Sequence, residues 1–533
     1  MKRYQILAGI ALLGSTALGG PAAAELARIA SVPLGAEITG LHLTEAGDFF
    51  MNIQHPATAI TGPYNKATVG VFADADFNAV PEQLQASAVP DSDFEKQTVM
   101  TSIGTYQVLA QQGDFADAIP DGLGAILTAG GKIMKSSNDP DFNGFIPIGD
   151  NEGYLFTNWE DQPGGMSRMK LVKGDDGRMT VDPEDVRMLD FSSVNGTWIN
   201  CFGSVSPWNT PLTSEELYFD TTENWIDASA GEDFEGAETT RTYLGGPSNP
   251  YDYGYIVEIT DPAGAATPVK HYAMGRFSHE NSVVMPDRKT AYLSDDGTDT
   301  VFFKFVADNA GDLSAGTLYA AKATQNGENG GSSAEVGFTI EWVELAHASN
   351  DQIAAWIGEY AGKTAEDSTD GAEYISDEDV AAWAAGEAAD DRAAFLESRK
   401  AAAAKGATAE WRKMEGIMAN FKAIENGSAP YLYMAMSEIS KGMSDGEGDI
   451  NIAENMCGAV YELSFDETYN ITGMTPLVAG HGYDKNEAAN PCPVDSISNP
   501  DNVAVLDDGR VIIGEDTGNH ENNTLWLFTK PQS

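Results

Sequence analysis

His279-Glu-Asn-Ser-Val-Val-Met-Pro-Asp-Arg-Lys-Thr-Ala-Tyr-Leu-Ser-Asp295-Asp296 contains the pattern that decides the fold. It reads as an apolar strand, a Pro-Asp turn, a second apolar strand and a terminal pair of acids. The same unit recurs as Ile38-Thr-Gly-Leu-His-Leu-Thr-Glu-Ala-Gly-Asp-Phe-Phe-Met-Asn-Ile-Gln54-His55 and as Pro500-Asp-Asn-Val-Ala-Val-Leu-Asp-Asp-Gly-Arg-Val-Ile-Ile-Gly-Glu515-Asp516. In two copies the first strand is also preceded by an acid and an amide, Glu280-Asn281 and Asp501-Asn502. One such hairpin would be read as a solvated turn. Three with the same polar bracketing suggest blades of a propeller, whose inner strands gather equivalent positions at one end of a central channel.

The rest of the chain agrees with an all-β reading. Short apolar runs separated by Gly, Pro, Asn and Asp predict strands over 153–158, 216–219, 254–259, 300–306, 431–436, 459–465 and 525–528. Between Ala346 and Ala409 the composition turns to Ala, Glu, Asp and Lys, which predicts a helical insertion between blades. The expected organisation is one propeller, of six blades by the resemblance described below, over residues 25–533 with a helical insertion at 346–409.

The 533 residues include 81 acidic and 31 basic side chains, a formal net charge of −50. Hydrophobic residues at 42% are enough to build a core, so the charge does not imply disorder. The acidic excess excludes general nucleic-acid binding and docking on anionic lipid, both of which need clustered Lys and Arg. The start combines Met1-Lys2-Arg3, an apolar run from Ile6 to Leu18 and Pro21-Ala22-Ala23-Ala24. This is the pattern of a secretory signal peptide over residues 1–24, and it predicts a periplasmic or extracellular protein without a membrane span. Among three cysteines, Cys457 and Cys492 are able to pair in an oxidising compartment. Cys201 is then left over. Its residue type alone favours burial as a small hydrophobe over a role as metal ligand or nucleophile.

Several catalytic patterns are missing. His279-Glu280 and His520-Glu521 lack the second His of a zincin helix, and no G-x-S-x-G elbow or G-x-G-x-x-G loop occurs. What remains are carboxylates and amides at strand ends: Asn158 and Glu160, Glu215 and Glu216, Glu280, Asp295 and Asp296, Glu415, Asp501 and Asn502, Glu515 and Asp516. Such oxygens suit hard cations such as Ca2+ or Fe3+. Brought together, they cannot all remain ionised without a cation among them.

Cys201-Phe-Gly-Ser-Val-Ser-Pro-Trp-Asn-Thr-Pro-Leu-Thr-Ser-Glu215-Glu216 resembles the signature of PhoX-type alkaline phosphatases. Gly275-Arg-Phe-Ser-His279-Glu280, Phe302-Phe-Lys-Phe305, Gly316-Thr-Leu-Tyr-Ala-Ala-Lys322, Met414-Glu415-Gly416 and the 500–516 hairpin follow in that family's order. The resemblance implies a six-bladed propeller that hydrolyses phosphate monoesters with a mixed iron–calcium cluster. It implies Cys201 as a thiolate ligand to iron, Glu280, Asp296 and Glu415 as carboxylate ligands, and Asp501 and Asn502 on calcium. Asn158 and Glu160 stand where the family shows Asn-His-Glu, with Trp159 replacing His. Asn209, Pro211 and Ser214 replace the family's Gly, Trp and Cys. Lys413, preceded by Arg412, replaces its phosphate-contacting Arg; Lys attracts phosphate without the planar fork. Gln54-His55-Pro56 is similar to a unit that relatives carry near the C-terminus, which implies a circular permutation.

The expected partner is a small phosphoester, and the expected state a monomer. Two rivals are a non-catalytic calcium-binding propeller and a calcium-dependent lactonase or esterase, neither of which needs the thiolate.

Overall fold

The computed structural model describes residues 25–217, 219, 221–363 and 374–530. The predicted leader at 1–24 lies outside them, as does part of the predicted insertion. Among the described residues, six antiparallel blades form a closed wheel, so the all-β propeller expectation holds. The innermost strands are Glu37–Leu43, Pro140–Gly149, Asn200–Val205, His279–Val284, Met414–Met418 and Pro500–Val505. Each neighbours the next, and the sixth returns to the first. The hairpins repeated in the sequence are the inner hairpins of blades 1, 4 and 6.

Successive residues in these strands are both buried, because each blade face packs on a neighbouring blade. Phe49 packs in the seam between blades 6 and 1, whereas Phe50 packs between blades 1 and 2. Val283 and Val284 are divided in the same way between the seams on either side of blade 4. The side-chain period of two therefore sends alternate apolar residues to different seams, and the strands read as continuous apolar runs. Six apolar clusters result, one per seam.

Blade 6 takes Pro500–Val505, Val511–Glu515 and Thr524–Thr529 from one part of the chain and Glu25–Ser31 from another. Blades 4 and 5 are joined at their outer edges, where Phe338 pairs with Met474. Among its described residues the strand predicted over 216–219 is not formed: the strand is Pro211–Glu215, and Glu216 makes only a bridge to Ser278. Helices in the predicted insertion begin at Asn350, after the strand Gly337–Ser349. They include Asp377–Ala384, closed by a Ser376/Asp379 capping box, then Arg392–Leu396 and Ser398–Ala404. Trp356, Phe395 and Leu396 bury these helices against the seam between blades 3 and 4. Cys457 and Cys492 form a disulfide.

Candidate metal centre

The inner strand of every blade contains a β-bulge at the same place. In blade 4, His279 pairs with Asp295 and Ser282 with Leu293, so Glu280 and Asn281 together face one partner residue. The same two-against-one register occurs at Asp141-Phe142, Cys201-Phe202, Glu415-Gly416, Asp501-Asn502 and Gly40-Leu41. A bulge turns its extra residue out of the ladder and re-aims the side chain. Here it turns Asp141, Cys201, Glu280, Glu415 and Asp501 into the channel, and all five are buried. Blade 1 places Gly40 in that position, with φ +62.

A second tier comes from the residue just past the second strand. Asp141, Glu160 and Cys201 offer ligand atoms that all lie within 4.8 Å of one another. Cys201, Glu216 and Glu280 form a second such group, and Glu280, Glu415 and Asp501 a third. Cys201 Sγ lies 3.2 Å from Asp141 Oδ2 and 3.1 Å from Glu280 Oε2. Lys413 Nζ meets Asp296 Oδ2 at 2.6 Å and Glu415 Oε1 at 3.3 Å, and Ser437 donates to Glu415. Gln54 donates to Glu160 across the seam between blades 1 and 2. Asp516 lies at the mouth beside Glu37, which is ion-paired to His55.

The structure does not bring every expected ligand to this ring. In each acidic doublet the pleat sends neighbours to opposite sides, so Glu216, Asp296 and Asp516 face the channel while Glu215, Asp295 and Glu515 face away. Glu215 pairs with Lys270 at 2.9 Å and accepts from the backbone of Trp198, Gly254 and Tyr255. Asp295 is held by Arg399 and the Val301 amide. Glu515 accepts from the Trp526 indole, the Ser498 and Thr524 amides and His520. Arg412 turns to Thr298 and Glu438 rather than to the ring. Asn158 donates to the Cys201 carbonyl, and Asn502 to Asp501 Oδ2 at 2.8 Å. Asp141 and Glu37 were absent from the expected set. Asp141 was legible, because Pro140-Asp141 fills the position that Pro500-Asp501 fills in blade 6.

The electrostatics of this ring call for cations. Burial and then neighbouring carboxylates push Glu160, Glu280 and Asp501 far above the ordinary carboxyl range. Burial raises Asp141 to about 7, and raises Glu415 although Lys413 opposes the shift. The Cys201 thiol is pushed well up by burial, then by Glu280 and Glu160. Burial lowers the Lys413 ammonium, but Glu415 and Asp296 outweigh it and hold the charge. Three buried oxygens, Asp141 Oδ1, Glu280 Oε1 and Asn158 Oδ1, have no hydrogen-bond partner. An acceptor buried without a donor is costly, and a cation satisfies it.

No curated protein matches the sequence significantly. Among solved structures, the chain is similar to Pseudomonas fluorescens PhoX in complex with vanadate, a transition state analogue. That match has 18% identity and a TM-score of 0.52, and covers 74% of this chain and 80% of that one, which shows the shared fold. A calcium structure of Trichoderma reesei Carbohydrate-Active Enzymes Family AA12 matches at 10% identity and a TM-score of 0.33, over 96% of this chain and 97% of that one. The family model described as "Alkaline phosphatase PhoX" matches residues 165–531, well over half of the chain. The chain belongs to the PhoX alkaline phosphatase family.

Proposed function

We propose that the protein is an exported, metal-dependent phosphomonoesterase that holds Fe3+ and Ca2+ in the ring of bulged residues. The observation that carries this reading is the convergence of one thiol and several carboxylates, with buried oxygens left unpartnered, in a chain of this family. The donor sets favour a division of metals. Two of the three groups share Cys201, and thiolate among oxygens suits a transition metal such as iron. The third group, Glu280, Glu415 and Asp501, offers oxygen alone and suits calcium.

Once bound, such cations supply Lewis-acid charge that offsets the charge on phosphoryl oxygens. The chain's own residues do the rest. Lys413 brings an ammonium to the rim between Asp296 and Glu415, where it attracts the phosphate dianion. Asn158 anchors the Cys201 carbonyl, and so fixes the strand from which the thiol projects. Ser437 and Gln54 orient the Glu415 and Glu160 carboxylates. No Ser or Thr nucleophile is required. Export rests on the leader at residues 1–24, and the protein is proposed to act as a periplasmic or extracellular monomer on small phosphoesters.

The test is hydrolysis of p-nitrophenyl phosphate by the purified protein loaded with iron and calcium, from pH 6 to 11. Inactivity throughout rejects the reading. Metal analysis separates the rivals: calcium without iron, unaffected by Cys201→Ser, favours the non-catalytic propeller or the lactonase. An iron-linked colour that disappears in Cys201→Ser supports the phosphatase.

A further inference from the structure

A cleft of about 280 Å³ opens between the helical insertion and blades 3 and 4. Its walls continue from the ring itself. Leu217 follows Glu216, Phe277 lies three residues before Glu280, and Arg399, also in the wall, donates to the Asp296 carbonyl at 2.8 Å. Leu217, Phe219, Phe277 and Ala403 make this wall apolar. Phe277 is held rigid between two rings, Phe303 at 4.1 Å and His279 at 3.7 Å, and so offers the cleft its edge.

Arg276 is 5% exposed. Its Nε donates to the carbonyls of Pro250 and Tyr253 and its Nη1 to that of Leu396, but its Nη2 has no partner. That nitrogen is itself sealed from the cleft, so the apolar wall is what a ligand meets. Arg399 and Lys400 also line the cleft beside the carboxylates of Asp299 and Glu397, with Lys400 ion-paired to Asp377 at 2.8 Å.

We infer that this cleft holds the organic group of the phosphoester, and that it selects an apolar, ring-bearing alcohol over a short polyol. This rests on the phosphatase reading, because the ring must hold the phosphate while the cleft holds the remainder. Apolar walls gain from a ring what they do not gain from a short polyol.

The test compares p-nitrophenyl phosphate with glycerol 3-phosphate in the metal-loaded wild type and in Ala403→Trp, which fills the cleft from an exposed position. The expected result is a fall in kcat/KM of about tenfold or more for the aryl ester, mostly through KM, and a change of less than about twofold for glycerol 3-phosphate. Equal effects on both esters, or none, overturn the inference. Should the wild type hydrolyse neither ester, the phosphatase reading falls. The cleft is then judged by calorimetric binding of 4-nitrobenzylphosphonate against inorganic phosphate. Weakening by Ala403→Trp of the phosphonate alone sustains the cleft, and indifference rejects it.

Discussion

Gly40→Ala tests the bulged ring most directly. A Cβ at Gly40 would stand 2.1 Å from the Asp141 carbonyl oxygen, 2.3 Å from Asn52 Nδ2 and 2.7 Å from Asn143 Nδ2. Two of these neighbours are fixed: Asn52 and Asn143 hydrogen-bond to each other across the seam, and Asn52 also holds the backbone of Pro140 and Asp141. The backbone at φ +62 adds strain of roughly 1–2 kcal/mol for an L-residue. The clash adds about 1–3 kcal/mol of overpacking. The expected total is about 2–5 kcal/mol. With an unfolding entropy near 2.1 cal/mol/K per residue, a chain of this length loses only about 2–5 °C in Tm, so denaturant titration is the more sensitive assay. The local effect is larger, because the yielding atom belongs to Asp141. Metal content and hydrolysis should drop by roughly tenfold or more. Gly245→Ala is the control, at φ +70 with nothing within 4 Å of the added carbon, and carries strain without clash. Equal destabilisation by the two substitutions, with metal retained in both, would refute the argument.

Three further outcomes are expected. Glu215→Gln should cost about 3–5 kcal/mol by leaving Lys270 buried and unpaired, with metal content intact, whereas Glu216→Gln should reduce bound metal; urea melts and metal analysis on both decide it. Chelation should make stability pH-dependent. Asp141 is raised to about 7 when folded, so the metal-free protein loses stability as pH climbs from about 4 to 7, by about 4 kcal/mol at that residue; a chelated sample melting no lower at pH 8 than at pH 5 contradicts this. Replacing Cys457 and Cys492 by Ser opens a loop of 35 residues and should cost about 4 kcal/mol, seen as a lowered urea midpoint that reductant no longer shifts.

What the sequence disclosed follows from which signals survive without coordinates. Blades 1, 4 and 6 were legible because their inner hairpins share a Gly- or Pro-marked turn between two apolar strands. Blade 3 was not, although its turn Ser-Pro-Trp-Asn-Thr also carries a Pro, because its second strand ends at Glu215, one residue before the predicted start. The acidic doublets were visible as doublets, but strand alternation divides each one. Only the pairing register reveals that Glu216 and Asp296 turn inward while Glu215 and Asp295 anchor Lys270 and Arg399. Asp139-Pro140-Asp141 reads as a turn although it starts an inner strand, so Asp141 was legible only by its parallel with Pro500-Asp501. The bulge leaves only an uneven compositional trace: Gly40 in blade 1, Gly416 in blade 5, and the acid–amide pairs Glu280-Asn281 and Asp501-Asn502 in blades 4 and 6.

The sixth blade has a consequence for biogenesis. Arg28 and Thr524, hydrogen-bonded neighbours, are 496 positions apart along the polypeptide. Joining segments that remote carries a loop entropy of roughly 5 kcal/mol before any contact rewards it. The wheel therefore stays an open arc until its final strand is made, and it shuts last.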